Sequence, residues 1–96
     1  MKKFKSIVPV LITPLDHSGE ICKDSLLSLL KIFDKKNCSG LWVLGTGGED
    51  MCLSFKQRVE VAEVIHEFKT DMKICVGISF FSPRESLEFM KITKNF

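Results

Sequence analysis

The sequence has 96 residues, of which 45% are apolar and 27% charged, an ordinary globular composition with room for one domain at most. The formal charge of +2 comes from basic residues spread among acidic ones, which excludes the clustered basic face of a nucleic-acid-binding protein and a polybasic membrane patch. No apolar run approaches the roughly 18 residues of a membrane span. Because of the charge distribution and the short apolar runs, we expect neither a nucleic acid nor a membrane as a partner.

The chain begins with a basic stretch that leads into a short apolar run over residues 7–12. Pro9 interrupts this run, and no small-residue cleavage site follows it, so the pattern differs from that of a secretory signal peptide. We predict instead a strand over Ser6–Ile12 in a cytoplasmic protein.

Two further segments, Gly40–Leu44 and Lys73–Ile78, are short, β-branched and almost entirely apolar. Nearly continuous apolar character is typical of strands that are covered on both faces of a parallel sheet. We therefore predict parallel strands over these two segments.

Apolar residues at steps of three to four predict amphipathic helices over Asp24–Lys36, Phe55–Lys69 and Pro83–Asn95. The residues predicted to pack inward are Leu26, Leu27, Leu29, Leu30 and Phe33 on the first helix, Val59, Ala62, Ile65 and Phe68 on the second, and Leu87, Phe89 and Met90 on the third.

Two of these helices carry start signals. Ser54 and Gln57 predict a capping box before the second helix. Ser82 and Glu85 predict another before the third helix, with Pro83 at the first helical position.

The predicted order is strand, helix, strand, helix, strand, helix. Such units are right-handed, and eight of them close a (β/α)8 barrel, the TIM barrel. Three units leave one sheet face and both sheet edges uncovered. We therefore interpret residues 1–96 as one partial barrel domain of the α/β class, truncated at its C-terminus; a flavodoxin-like open sheet would need about five strands.

The loop after the second predicted strand is the most informative segment. LWVLGTGGED, residues 41–50, places three glycines and Thr46 directly after a strand, where alternating α/β folds place their chemistry. Gly45, Gly47 and Gly48 can adopt positive φ and present successive N–H groups to a carboxylate or phosphate. A tight turn that needs glycine for steric reasons alone is the alternative that these residues leave open.

The sequence lacks the motifs of common cofactor sites. No Lys-Ser or Lys-Thr completes a Walker A motif, and Asp50 stands where the dinucleotide fingerprint has its third glycine. The cysteines form no C-x-x-C pair, and the histidines complete no zinc spacing. We expect no metal and no cofactor.

A set of short motifs runs through nearly all of the chain. They are Ile7-Val8-Pro9, Leu11-Ile12-Thr13-Pro14, Gly19, the run Gly40 to Glu49, Leu53-Ser54, Gln57-Arg58-Val59 and Val76-Gly77. In this order and spacing they resemble the N-terminal part of the dihydrodipicolinate synthase and N-acetylneuraminate lyase family, which are pyruvate-dependent class I aldolases on a (β/α)8 barrel.

The resemblance implies a lyase in which a lysine near the end of the sixth strand forms a Schiff base with pyruvate or a related 2-oxo acid. It also implies that the turn after the second strand binds the carboxylate through Thr46, Gly47 and Gly48, with Thr46 in a proton relay. Gly47 departs from the family pattern, which typically has a second hydroxyl residue there. Full-length members are expected to be homo-oligomers, either dimers or tetramers.

Two groups that the family mechanism needs are missing from this chain. It contains no tyrosine to act as the phenolic relay. No lysine is predicted at the C-terminal tip of a strand; Lys73, for example, begins the third strand. We therefore expect the carboxylate-binding turn without the Schiff-base lysine, and no activity from this chain alone. A non-catalytic truncated product and a small anion-binding α/β module are the alternatives.

Overall fold

The computed structural model describes residues 7–80 and 82–96. In these ranges the helices are α1 (Lys23–Lys35), α2 (Phe55–Phe68) and α3 (Pro83–Thr93), and the strands are β1 (Gly40–Val43) and β2 (Lys73–Val76). The two strands are parallel neighbours, with Gly40 opposite Lys73 and Val43 opposite Val76. No helix within these ranges is long and apolar enough to cross a membrane.

The first predicted strand lies beside β1, but its regular pairing is limited. Val10 forms an isolated parallel bridge with Trp42. The Leu11 N–H donates to the Trp42 carbonyl and the Trp42 N–H to the Pro9 carbonyl, both at 2.9 Å. The prediction of a full strand over Ser6–Ile12 is therefore wrong for its described residues, since Pro9 has no N–H with which to extend the ladder; Ser6 lies outside the described residues.

The strands predicted over Gly40–Leu44 and Lys73–Ile78 also end earlier than expected. Leu44 has a φ of 59°, which takes the chain out of the extended conformation and ends β1. The Gly77 N–H still donates to the Val43 carbonyl at 2.7 Å. Beyond that bond β2 has no partner left on β1, so it ends as well.

The capping box predicted before α2 is confirmed. The Gln57 N–H donates to Ser54 Oγ at 3.1 Å, and the Ser54 N–H donates to Gln57 Oε1 at 3.0 Å. The second predicted box is wrong, because the Ser82 side chain accepts no capping hydrogen bond. Pro83 does begin α3 as predicted, and its ring nitrogen has no N–H that would need a cap.

The helices pack on one face of the sheet, where the core lies. Leu11, Leu41 and Val43 point into it from the sheet side, and all three are buried. The opposite sheet face is open among the described residues: the side chains of Val10 and Trp42 are each 47% exposed. This uncovered face is what three units of a barrel are expected to leave.

The predicted helix faces are mostly correct for α1 and α2 and partly wrong for α3. Leu26, Leu30, Ala62 and Ile65 are buried, and Leu27, Leu29, Phe33, Val59 and Phe68 are partly buried against the core. On α3, Phe89 is fully buried as predicted, but Leu87 and Met90 are 59% and 45% exposed. These two residues are exposed because α3 packs against α2 on one side and has no described helix on its other side.

Candidate active site

The candidate site is the turn that follows β1. It consists of two short 3-10 turns, Thr46–Gly48 and Asp50–Cys52. Thr46 and Gly47 are exposed, whereas Gly48 is buried. The three residues predicted to bind substrate therefore lie together at the C-terminal end of a parallel strand, but only two of them face solvent.

The backbone of the turn is unusual at its two ends and not at its glycines. Leu44 and Glu49 adopt the left-handed conformation, with φ of 59° and 57°. Gly45 is extended, and neither Gly47 nor Gly48 has a positive φ. The expectation that these glycines supply positive φ is therefore wrong. Left-handed geometry at a non-glycine residue costs about 1–2 kcal/mol and often occurs at functional sites.

The glycines are required instead because neighbouring groups approach their Cα atoms closely. A Cβ atom on Gly45 would lie 2.0 Å from the Trp42 Nε1 atom. A Cβ atom on Gly47 would lie 2.5 Å from the Val10 Cγ1 atom. The alternative that the sequence left open, that the turn needs glycine for steric reasons, thus explains Gly45 and Gly47 in part.

Gly48 is held by the segment before α1. The Thr13 hydroxyl donates to the Gly48 carbonyl at 2.8 Å. A Cβ atom on Gly48 would lie 3.0 Å from the Leu11 carbonyl oxygen, and the Gly48 N–H donates to the Gly45 carbonyl at 3.0 Å. Gly48 therefore fixes the position of the turn, and its N–H is already used.

The hydrogen-bonding groups that remain for a ligand belong to Thr46 and Gly47. The Thr46 carbonyl accepts from the Glu49 N–H at 3.0 Å. By contrast, the N–H groups of Thr46 and Gly47 and the Thr46 hydroxyl form no hydrogen bond with any residue in the described ranges. Two backbone donors and one hydroxyl are thus exposed side by side at the strand's end.

Arg58 connects this turn to the loop after β2. The residue is only 3% exposed, and its guanidinium carbon lies over the Phe80 ring, 3.9 Å from the centroid. Nη1 donates to the Ser79 carbonyl, and Nη2 lies 3.9 Å from the Met51 Sδ atom. Nε is buried and has no acceptor among the described residues. The side chain therefore holds the two loops together.

Sequence reasoning missed the roles of Thr13, Val10 and Arg58. Thr13 was visible as part of the Thr13-Pro14 motif, although the motif gave no hint of its contact with Gly48. Arg58 looks like a solvent-facing residue of an amphipathic helix, and no sequence signal marks it as buried. The contact between Val10 and Gly47 joins residues far apart in the chain and has no local signature.

A model of the Dihydrodipicolinate synthetase family matches residues 3–95 of the chain. The chain belongs to this family. The resemblance stated from its motifs is confirmed, and the match of nearly every residue places the turn and its surroundings within the family's sequence pattern.

Two curated relatives show how similar the chain is to full-length proteins and how much of their length it covers. The 4-hydroxy-tetrahydrodipicolinate synthase of Wigglesworthia glossinidia brevipalpis is 32% identical over 93 residues, which are 97% of this chain and 30% of that protein. The N-acetylneuraminate lyase of Salmonella paratyphi B is 26% identical over 96 residues, 99% of this chain and 32% of the lyase. The chain thus spans about a third of the length of these curated relatives.

The structural match establishes the fold. YagE, a prophage protein of the dihydrodipicolinic acid synthase family from E. coli K12, was solved in complex with pyruvate. It superposes with a TM-score of 0.87 at 23% identity, over 94% of this chain and 30% of YagE. The α/β fold is therefore that of the N-terminal three units of an incomplete TIM barrel, as predicted, with the first strand reduced to the bridge between Val10 and Trp42.

Proposed function

We propose that this chain supplies the carboxylate-binding turn of a 2-oxo-acid-dependent Schiff-base lyase that makes or breaks a carbon–carbon bond. The observation that carries the proposal is the exposed set of donors on Thr46 and Gly47, without acceptors in the described chain, at the C-terminal end of β1. Membership of a family whose matched relatives are a synthase and a lyase supports it.

The chemistry of these donors suits a carboxylate. A carboxylate oxygen accepts hydrogen bonds from backbone N–H groups, and such charge-assisted bonds are roughly twice as strong as neutral ones. The Thr46 hydroxyl can both donate and accept, so it can bind an oxygen and pass a proton onward. Gly48 belongs to the proposed site through its carbonyl, which Thr13 fixes.

The Schiff-base lysine is proposed to lie in a part of the barrel that this chain does not span. In the described ranges no lysine follows directly after a strand, and Lys73 stands at the N-terminal end of β2. We therefore propose that residues 1–96 form a partial domain that binds the acid without reacting with it. A cytoplasmic location and homo-oligomeric assembly of a full-length protein stay predictions.

Thr46→Val tests the proposed binding role. We expect the affinity for pyruvate to fall by roughly two- to twelvefold, the equivalent of one hydrogen bond, while the melting temperature stays unchanged because the hydroxyl has no partner within the described chain. Isothermal titration calorimetry measures the affinity. Ser28→Ala, which removes an exposed hydroxyl on α1, is the control and should leave the affinity unaltered.

Borohydride treatment of the same samples tests the absence of the reactive lysine. We expect mass spectrometry to find no added mass on the chain after treatment with pyruvate and borohydride. A reduced pyruvate adduct on any lysine would contradict the proposed division of the site.

A second candidate is a binding module without catalysis. The same two N–H groups can bind any small oxyanion, and phosphate is the simplest one to compare. Phosphate binding as tight as that of pyruvate would favour this module over the lyase turn.

A further inference from the structure

We infer that residue 10, and not residue 47, sets the chemistry of the surface beside Thr46, since Val10 fills the space of a side chain at position 47. The packing of Val10 against Gly47 is independent of any ligand, whereas its effect on ligand binding rests on the proposed function.

The packing around Gly47 leaves no space for a side chain. The position of a Cβ atom there lies 2.5 Å from Val10 Cγ1, 3.6 Å from Val10 Cβ and 3.8 Å from Val10 Cγ2. Carbon atoms at optimal contact are about 3.5–4.0 Å apart, so the first of these distances is a clash. All three side-chain carbon atoms of Val10 thus lie within 4 Å of the Cβ position at residue 47, and Cγ1 overlaps it.

Val10 is poorly able to move aside. Its β-branched side chain is restricted in χ1, and its backbone is tied to β1 through the bridge with Trp42. The carbonyl of Pro9 and the N–H of Leu11 both bond to Trp42 at 2.9 Å, which fixes the backbone on either side of Val10. A hydroxyl residue at position 47 would therefore clash with valine at position 10 and destabilise the fold.

This packing places an apolar side chain next to the hydrogen-bond donors of the proposed binding turn. A bound acid meets two backbone N–H groups and the Thr46 hydroxyl, and beside them a valine methyl group that can donate no hydrogen bond. Because Val10 is 47% exposed, a polar side chain of the same shape there would face solvent and ligand and would not be buried. Position 10 is thus a specificity-determining position for 2-oxo acids.

A double-mutant cycle tests the packing. In the wild-type background we expect Gly47→Thr to lower the melting temperature by at least about 4 °C, because overpacking of this kind destabilises small domains. In the Val10→Ala background the same change should lower it by less than half as much. Equal losses in the two backgrounds would overturn the inference.

Val10→Thr tests the chemistry without altering Gly47. Threonine has the shape of valine, so we expect an unchanged fold by circular dichroism and an affinity for pyruvate raised roughly two- to twelvefold by one added hydrogen bond. Ile12→Thr, on the same extended segment but not adjacent to Gly47, is the control and should leave the affinity as it is. An unchanged affinity in Val10→Thr would overturn the assignment of specificity to residue 10.

The two tests also separate this inference from the proposed function. If pyruvate binds neither the wild type nor any variant, the proposed function fails. The packing inference is judged separately, and it fails only if the melting temperatures show no coupling between positions 10 and 47.

Discussion

Phe89→Ala is expected to lower the free energy of unfolding by about 3–5 kcal/mol, the usual cost of deleting a fully buried aromatic side chain. The Phe89 side chain is completely buried, and its ring lies 5.4 Å from that of Phe80 and 6.0 Å from that of Phe55 between centroids. These contacts join α3 to the loop after β2 and to the start of α2. Urea denaturation followed by circular dichroism measures the loss.

Leu87→Ala on the same helix is the matched control. Leu87 is 59% exposed, so its truncation should change the free energy of unfolding by no more than about 0.5 kcal/mol. Equal losses for Leu87 and Phe89 would show that α3 does not pack with the orientation described above.

Gly77→Ala is expected to destabilise the fold by about 1–3 kcal/mol and to weaken pyruvate binding as well. A Cβ atom on Gly77 would lie 2.3 Å from the Leu44 carbonyl oxygen and 3.4 Å from the Gly45 nitrogen. Both are backbone atoms at the base of the candidate site, and they cannot yield as a flexible side chain would. The substitution must therefore displace the turn. Thermal unfolding and calorimetric titration measure the two effects.

Gly19→Ala is the control for Gly77→Ala. Gly19 has a φ of 81° and no atom within 4 Å of its Cβ position, so alanine there costs about 1–2 kcal/mol through backbone conformation alone. The two variants should lose comparable stability, whereas only Gly77→Ala should lose affinity for pyruvate. Affinity lost equally in both would mean that global stability, and not the turn, governs binding.

Much of the fold could be predicted from the sequence. Helical periodicity located each of the three described helices to within two residues. The Ser54 capping box has a local signature because both of its partners lie within one turn. The burial of α3 could not be predicted as well. The sequence shows that Leu87 and Phe89 are both apolar residues of a helix. Which of them is buried depends on the elements that pack against α3, and these lie elsewhere in the chain.

The residues of the turn could be predicted from the sequence, whereas the contacts that shape the turn could not; that Thr46, Gly47 and Gly48 bind substrate stays a prediction. The glycine-rich run marked the turn and Thr46, since those features are contiguous. The reason for the glycines depends on the Trp42 side chain beside Gly45 and on Val10 and Leu11, which approach Gly47 and Gly48 from a distant part of the chain. Left-handed backbone at Leu44 is likewise invisible in sequence, because leucine ordinarily avoids it.

The central claim is that Thr46 and Gly47 bind the carboxylate of a 2-oxo acid. Mapping of backbone amide chemical shifts by NMR during a titration with pyruvate tests it most directly, with pyruvamide as a control of similar size that lacks the carboxylate. We predict the largest shifts at the amides of Thr46 and Gly47 with pyruvate, and none there with pyruvamide. Shifts centred elsewhere in the chain, or equal shifts with both compounds, would contradict the claim.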